Sequence, residues 1–215
     1  MQGQSRTALI SLFAMVAVLL STAICLAIQA VVPRGSGPEI ALFPYNTEVV
    51  AVGILGGVLP LVASFAMIGA SQAWRDDGGR RPFRSSAYWI TILAVALLLT
   101  VFFTASQYLY GGLGVPKLWA FWLTVAGGVG GVDYWWLRGR RIGLAWGAAE
   151  CYSMGTFSVF VSDVLRTLGG LATAPGEAAV WGGGGLLDIV FWFGIYTSAS
   201  FLLLDGLTGL FARAR

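Results

Sequence analysis

Residues 162–188 read SDVLRTLGGLATAPGEAAVWGGGGLLD. The stretch carries an aspartate near each end, Asp163 and Asp188, around a Pro175-Gly176 turn and a run of four glycines, Gly182 to Gly185. Both acids sit in apolar surroundings, where charge is expensive. Working outward from this hairpin, the chain reads as a helical membrane protein. Of its 215 residues 57% are hydrophobic and 11% charged, with a mean hydropathy of +0.79. A soluble domain carries roughly 25% charged residues.

A helix needs about 20 apolar residues to cross a hydrocarbon layer of about 30 Å. Stretches at 8–32, 48–74, 86–110, 115–136, 142–172 and 181–211 meet that length. The expected fold class is therefore all-α, a polytopic transmembrane bundle of about six spans forming a single integral membrane domain over 1–215. The connectors PRGSGPE, RDDGGRRPFR, YGGLGVP, LRGRR and TAPGE carry the expected helix breakers. The apolar run 8–32 is too long for a cleaved signal peptide, so it is read as the first span.

Basic residues set the orientation. Arg6, Arg75, Arg80, Arg81, Arg84, Arg138, Arg140, Arg141, Arg213 and Arg215 fall on one side, and Arg34 and Lys117 on the other. That distribution predicts an integral cell membrane protein with both termini cytoplasmic. The net charge of +3 reflects these clusters, and no nucleic-acid partner is expected. Trp119, Trp122, Tyr134, Trp135 and Trp136 read as an interfacial aromatic belt.

The chain has no histidine, which removes the commonest general base and metal ligand. Cys25 and Cys151 lie in apolar stretches without metal-ligand spacing. No metal and no cofactor is expected.

Glu150, Asp163, Asp188 and Asp205 are the acids placed within spans. A charge at mid-bilayer costs at least about 2.5–3.5 kcal/mol, so such residues are functional candidates. At 1.5 Å per residue, Asp163 lies about 14 Å below a helix end near 172, and Asp188 about 11 Å below a helix start near 181. A short connection makes the two helices neighbours, so both carboxyl groups fall at similar depth. Two close carboxylates in a low dielectric share one proton. One then serves as base on water and the other as acid on a carbonyl oxygen, the chemistry of aspartic proteases.

Competing pairings stay open. Asp163 and Arg166 are three apart and can meet on one helix face. Asp188 can bond Thr197 or Ser198, Asp205 can pair with Arg213, and Glu150 can bond within the bundle. The four glycines suit either an unwound entrance for an extended substrate or tight helix packing.

MGTFSVFVSDVL (154–165) followed by WGGGGLLDIVFWFGIY (181–196) resembles a family of uncharacterised prokaryotic membrane proteins. Their G-T-L-x-x-x-x-A-D-L-L stretch precedes G-G-A-G-T-F-D-G-I-F. That family is similar to the presenilin and signal peptide peptidase class of GxGD intramembrane aspartyl proteases. The resemblance implies Asp163 and Asp188 as catalytic residues and Gly182, Gly183, Gly184 and Gly185 as a substrate-binding entrance. It also offers Pro60 and Leu61, in GGVLPLVAS (56–64), beside the site. The chain departs from the protease pattern at Ser162, where presenilins have tyrosine, and at Leu187, where GxGD has its second glycine. It also lacks a C-terminal Pro-Ala-Leu and has six predicted spans where the proteases have nine.

The resulting expectation is a hydrolase, a presenilin-like intramembrane aspartyl protease or an inactive relative, acting on a transmembrane peptide and in contact with membrane lipids. The alternatives are a non-catalytic integral membrane subunit held by partner subunits, and a proton-coupled transporter using Asp163, Asp188 and Glu150.

Overall fold

The computed structural model describes residues 38–45, 48–73, 86–110, 130, 144–169, 180–181 and 189–211. In chain order these form strand β1 (Glu39–Tyr45), strand β2 (Glu48–Gly53), a π-helical turn (Ile54–Val58) and helix α1 (Leu59–Ala73). Helix α2 (Ser86–Tyr110), helix α3 (Leu144–Leu168), the short strand β3 (Val180–Trp181) and helix α4 (Ile189–Phe211) follow. The expected spans 8–32 and 115–136 lie outside the described residues, except for Gly130.

The strands correct the all-α expectation. The stretch 48–74 begins not as a helix but with EVVAVG, a strand rich in β-branched residues. Along β2, Val49 is exposed while Val50, Ala51 and Val52 are all buried, as in a central strand covered on both faces. β1 pairs antiparallel to β2, from Glu39 opposite Gly53 to Tyr45 opposite Glu48, with a bulge between Ala41 and Phe43. Pro44 is tolerated because β1 is the edge strand of the order β1-β2-β3. β3 adds in parallel, Ala51 opposite Val180 and Val52 opposite Trp181.

The polytopic bundle with a presenilin-like core, and the membrane location and terminal orientation drawn from it, are corrected as well. Among the described residues no helix is long and apolar enough to cross a membrane. The second expected span is divided between β2, the π-helical turn and α1. α1 has 15 residues, about 22 Å of helix at 1.5 Å per residue. The fifth, α3, carries Glu150, Asp163 and Arg166 and a series of serines and threonines. In the sixth, Trp181 belongs to the strand Val180–Trp181 and Ile189–Phe211 is helical.

α3 is the central element. It packs against α1, α2, α4 and β3, and residues 150–159 are buried without interruption. On one side Met154 and Phe157 join Ile68 of α1 and Tyr88 and Ile92 of α2, with Leu61 and Val161 at the margin. Phe65 meets the Phe157 ring edge-on at 5.0 Å. α2 turns the stripe Tyr88, Ile92, Ala96 and Leu99 inward, the spacing of one helical face. Its opposite face is also apolar and stays exposed, with Ile90 at 65% and Val101 at 66%.

Of the buried hydroxyls of α3, those of Ser153 and Ser162 have hydrogen-bond partners, as burial favours, whereas Ser158 Oγ is buried without one among the described residues. Ser153 Oγ donates to Ala149 O at 3.0 Å and reaches Ser64 O at 3.2 Å. Ser162 and Thr100 hydroxyls lie 3.1 Å apart.

α3 and α4 form the closest helix pair, and small residues permit the approach. A Cβ on Gly155 would meet Thr197 Oγ1 at 2.6 Å, and one on Gly194 would meet Thr156 Oγ1 and, at 2.9 Å, the Tyr152 ring. Near the other end Cys151 packs with Phe201, and Ser198 Oγ donates to Ala148 O at 2.9 Å. The pair is antiparallel.

Tyr152, buried in this seam, has a pKa raised by desolvation and partly offset by the Thr156 hydroxyl. A phenol whose folded pKa lies above its unfolded value, about 10, contributes stability that is present below pH 10. That contribution is lost as pH rises through the folded value. Urea midpoints between pH 9 and 11 should fall more steeply for the native chain than for Tyr152→Phe. Parallel declines would show that the tyrosinate is not excluded.

Candidate functional site

The site is built around the C-terminal end of α3. Asp163 and Arg166 are one turn apart, with Arg166 Nη1 3.9 Å from Asp163 Oδ1 and side chains 12% (Arg) and 19% (Asp) exposed. The sequence spacing anticipated this pair. Burial pulls the Arg166 pKa below its ordinary value, and the Asp163 carboxylate pushes back. Arg166 is the only Lys or Arg among the described residues.

A hydrogen-bond chain ties this turn to β3. Trp181 Nε1 donates to Thr167 Oγ1 at 2.9 Å, and Thr167 Oγ1 donates to Asp163 O at 3.0 Å. The Trp181 ring is clasped edge-on by Phe160 at 5.7 Å and Phe43 at 6.1 Å, and it packs with Val50 and Val52 over Val58, Phe160 and Val164. β3 thus fixes the chain immediately before the four glycines. Trp181 and Thr167 were not singled out from the sequence; the signal was a lone tryptophan bordering a glycine run, next to a hydroxyl residue one turn after an aspartate. Trp181→Phe keeps the ring and removes the donor. It should cost about 1 kcal/mol in chemical denaturation, and an unchanged midpoint would show the bond contributes nothing.

Asp188 and Gly182, Gly183, Gly184 and Gly185 lie outside the described residues. α4 begins at Ile189, the residue after Asp188. The antiparallel pairing matches Gly155 with Thr197 and Thr156 with Gly194.

Pro60 is buried in the first turn of α1, where a missing N–H costs nothing, and its carbonyl accepts from Ser64 Oγ at 2.8 Å. Leu61 packs on the Met154 and Phe157 cluster. The π-helical turn just before them contacts both β2 and α4.

Glu150 is buried at the other end of α3, 1% exposed. Asp205 lies in α4 near the same end, since Phe201 packs beside Gly147 and Cys151. Among the described residues no group of three or more His, Cys, Asp or Glu could hold a metal ion. In comparisons with known proteins, no family model, curated protein or solved structure matches the chain.

Proposed function

We propose that Asp163 and Asp188 act as an acid–base pair hydrolysing a peptide bond, as the resemblance to the GxGD class implies. The observation that supports this reading is the antiparallel α3–α4 pairing, with Gly155 against Thr197 and Gly194 against Thr156, in which Asp163 lies two turns beyond Thr156 in the direction of the α4 start. The Trp181–Thr167 link supports it by holding the chain leading into Gly182–Gly185 beside the Asp163 turn. With one proton shared, one carboxylate takes a proton from water as its oxygen bonds to the peptide carbon. The other gives its proton to the carbonyl oxygen. The first then passes the proton it gained to the leaving nitrogen as the C–N bond breaks, and the second recovers a proton from the collapsing diol. The test is cleavage of a fluorogenic peptide library by the purified chain and by Asp163→Asn and Asp188→Asn. Loss in both variants, with native unfolding midpoints, supports the pair; equal cleavage by all three proteins rules it out.

A second reading, a non-catalytic subunit of a larger assembly, is favoured by the uncovered apolar surface. Val62 and Phe65 on α1 are 57% and 56% exposed, and Ile90, Leu93, Leu97 and Val101 on α2 form a further apolar strip. Contiguous exposed apolar surface marks an interaction site. This reading predicts stoichiometric co-purification with partner chains, undisturbed by either aspartate substitution.

A further inference from the structure

We propose that the outer edge of β1 pairs with the same edge of a second copy of this chain, joining the two sheets about a two-fold axis through Ile40. The register of the hairpin fixes what that edge offers. Residues facing each other across an antiparallel pair alternate between exchanging two hydrogen bonds and exchanging none. Ile54 N donates to Pro38 O at 2.9 Å, so Ile40 and Val52, two residues along each strand, form the next bonded pair. Glu39 and Ala41, opposite Gly53 and Ala51, therefore turn their backbone N–H and C=O groups away from β2. The bulge after Ala41 and Pro44, which has no N–H, close the other half of the edge to pairing.

Glu39 and Ala41 flank Ile40 symmetrically, and this symmetry selects the occupant. An antiparallel copy laid along the edge sets Glu39 opposite Ala41 of the second copy and Ala41 opposite its Glu39, and each pair exchanges two bonds. The second copy returns the same donors and acceptors at the same spacing, with the same apolar residue between them. Such a contact is isologous and closes as a dimer. Ile40 meets its own counterpart at a non-bonded position, where side chains approach most closely. Its side chain shares the face of Val52, which packs with Val50 and Trp181 over Phe160 and Val164. The pairing therefore extends that apolar layer from one copy to the next. Glu39 faces an alanine and not the other glutamate, so no like charges are set directly opposite, an arrangement that destabilises strand pairs. Exposure agrees with an uncovered edge: residues 38–44 are all exposed, Ile40 at 46% and Leu42 at 45%. A strand whose outward donors no described strand takes up is a template for another strand, and β1, EIALFPY, has no lysine to guard it.

The experiment measures the oligomeric state of the purified full chain by sedimentation over a range of concentrations, together with amide hydrogen exchange along β1. The native chain should dimerise as concentration rises. The Glu39 and Ala41 amides should become protected in step, while the Ile40 amide, turned towards Val52, should not change. Ala41→Pro removes an outward donor and leaves the ladder to β2 intact. Two bonds are lost across the symmetric contact, so dimerisation should weaken by at least about tenfold, with a near-native unfolding midpoint. A monomer at every concentration overturns the proposal, and so does a dimer that Ala41→Pro leaves undiminished. Protection of Ala41 that appears only when an extended peptide is added also overturns it, because the edge then takes another partner. Should Ala41→Pro fail to fold, exchange in the native chain carries the test: Ala41 protection rising with concentration is expected, and exchange independent of concentration overturns the pairing.

Discussion

Gly194→Val should separate α3 from α4 and cost about 3 kcal/mol or more. Overpacking a filled site costs typically 1–3 kcal/mol and occasionally more. Here the first added atom already collides, before the branched methyls are counted. A Cβ at Gly194 would strike Thr156 Oγ1 and the Tyr152 ring, with two ring carbons at 2.9 Å. Tyr152 and Thr156 are both buried, so neither side chain has free space to retreat into. The usual gain from replacing a helical glycine, about 1 kcal/mol, is smaller than the clash. Gly69 is the control. A Cβ there meets nothing within 4 Å, so Gly69→Ala should stabilise by about 0.5–1 kcal/mol. Denaturation midpoints of the two variants should therefore shift in opposite directions. A native midpoint for Gly194→Val would mean that the two helices do not pack as closely as their glycines allow.

The second large effect concerns the aspartates. General acid–base assistance contributes typically 10²–10⁴-fold, so each single asparagine variant should lose roughly that factor in kcat/KM. Because the two groups act on one shared proton, the losses should not multiply. The double variant should be about as slow as the slower single variant, the pattern expected of residues that function as a unit. Asparagine keeps the size and polarity of aspartate, so unfolding midpoints should stay near native apart from the lost Arg166 attraction at Asp163. If the double variant is slower by the product of the single losses, the two carboxylates act independently and the shared-proton chemistry is wrong. If neither single variant slows the reaction, the acids serve packing alone.

The helical stretches were the most legible part of the chain. The expected segment 86–110 coincides with α2, Ser86–Tyr110, and 142–172 contains α3, Leu144–Leu168. Long apolar runs without proline have few other ways to satisfy their backbone. The stretch 48–74 was misread because its apolar length was counted without regard to the β-branched residues at its start. Val49, Val50 and Val52 favour a strand, and a short apolar run buried on both faces cannot be told from a helix by periodicity. The sixth stretch was misread at its start, where Val180 and Trp181 pair with β2. Two residues carry no periodic signal of their own, and only the presence of β2 makes them a strand. The membrane reading followed from the same count of apolar residues and is overturned because no helix among the described residues is long and apolar enough to cross a membrane.

At the candidate site the local part was readable and the long-range part was not. The contact between Asp163 and Arg166 follows from residues three apart on one helix. The bond from Trp181 to Thr167 spans a turn and depends on a sheet seeded far upstream. By itself the sequence determined the long helices, the absence of histidine chemistry and the local ion pair, because each depends on composition or on neighbours within a turn. Only the tertiary structure decided that a hairpin at 39–53 recruits Val180–Trp181 as a third strand, and that Gly155 and Gly194 bring α3 and α4 together antiparallel. Those outcomes depend on contacts between distant segments, and such contacts are selected by the complementary shapes of surfaces that exist only once the elements have formed.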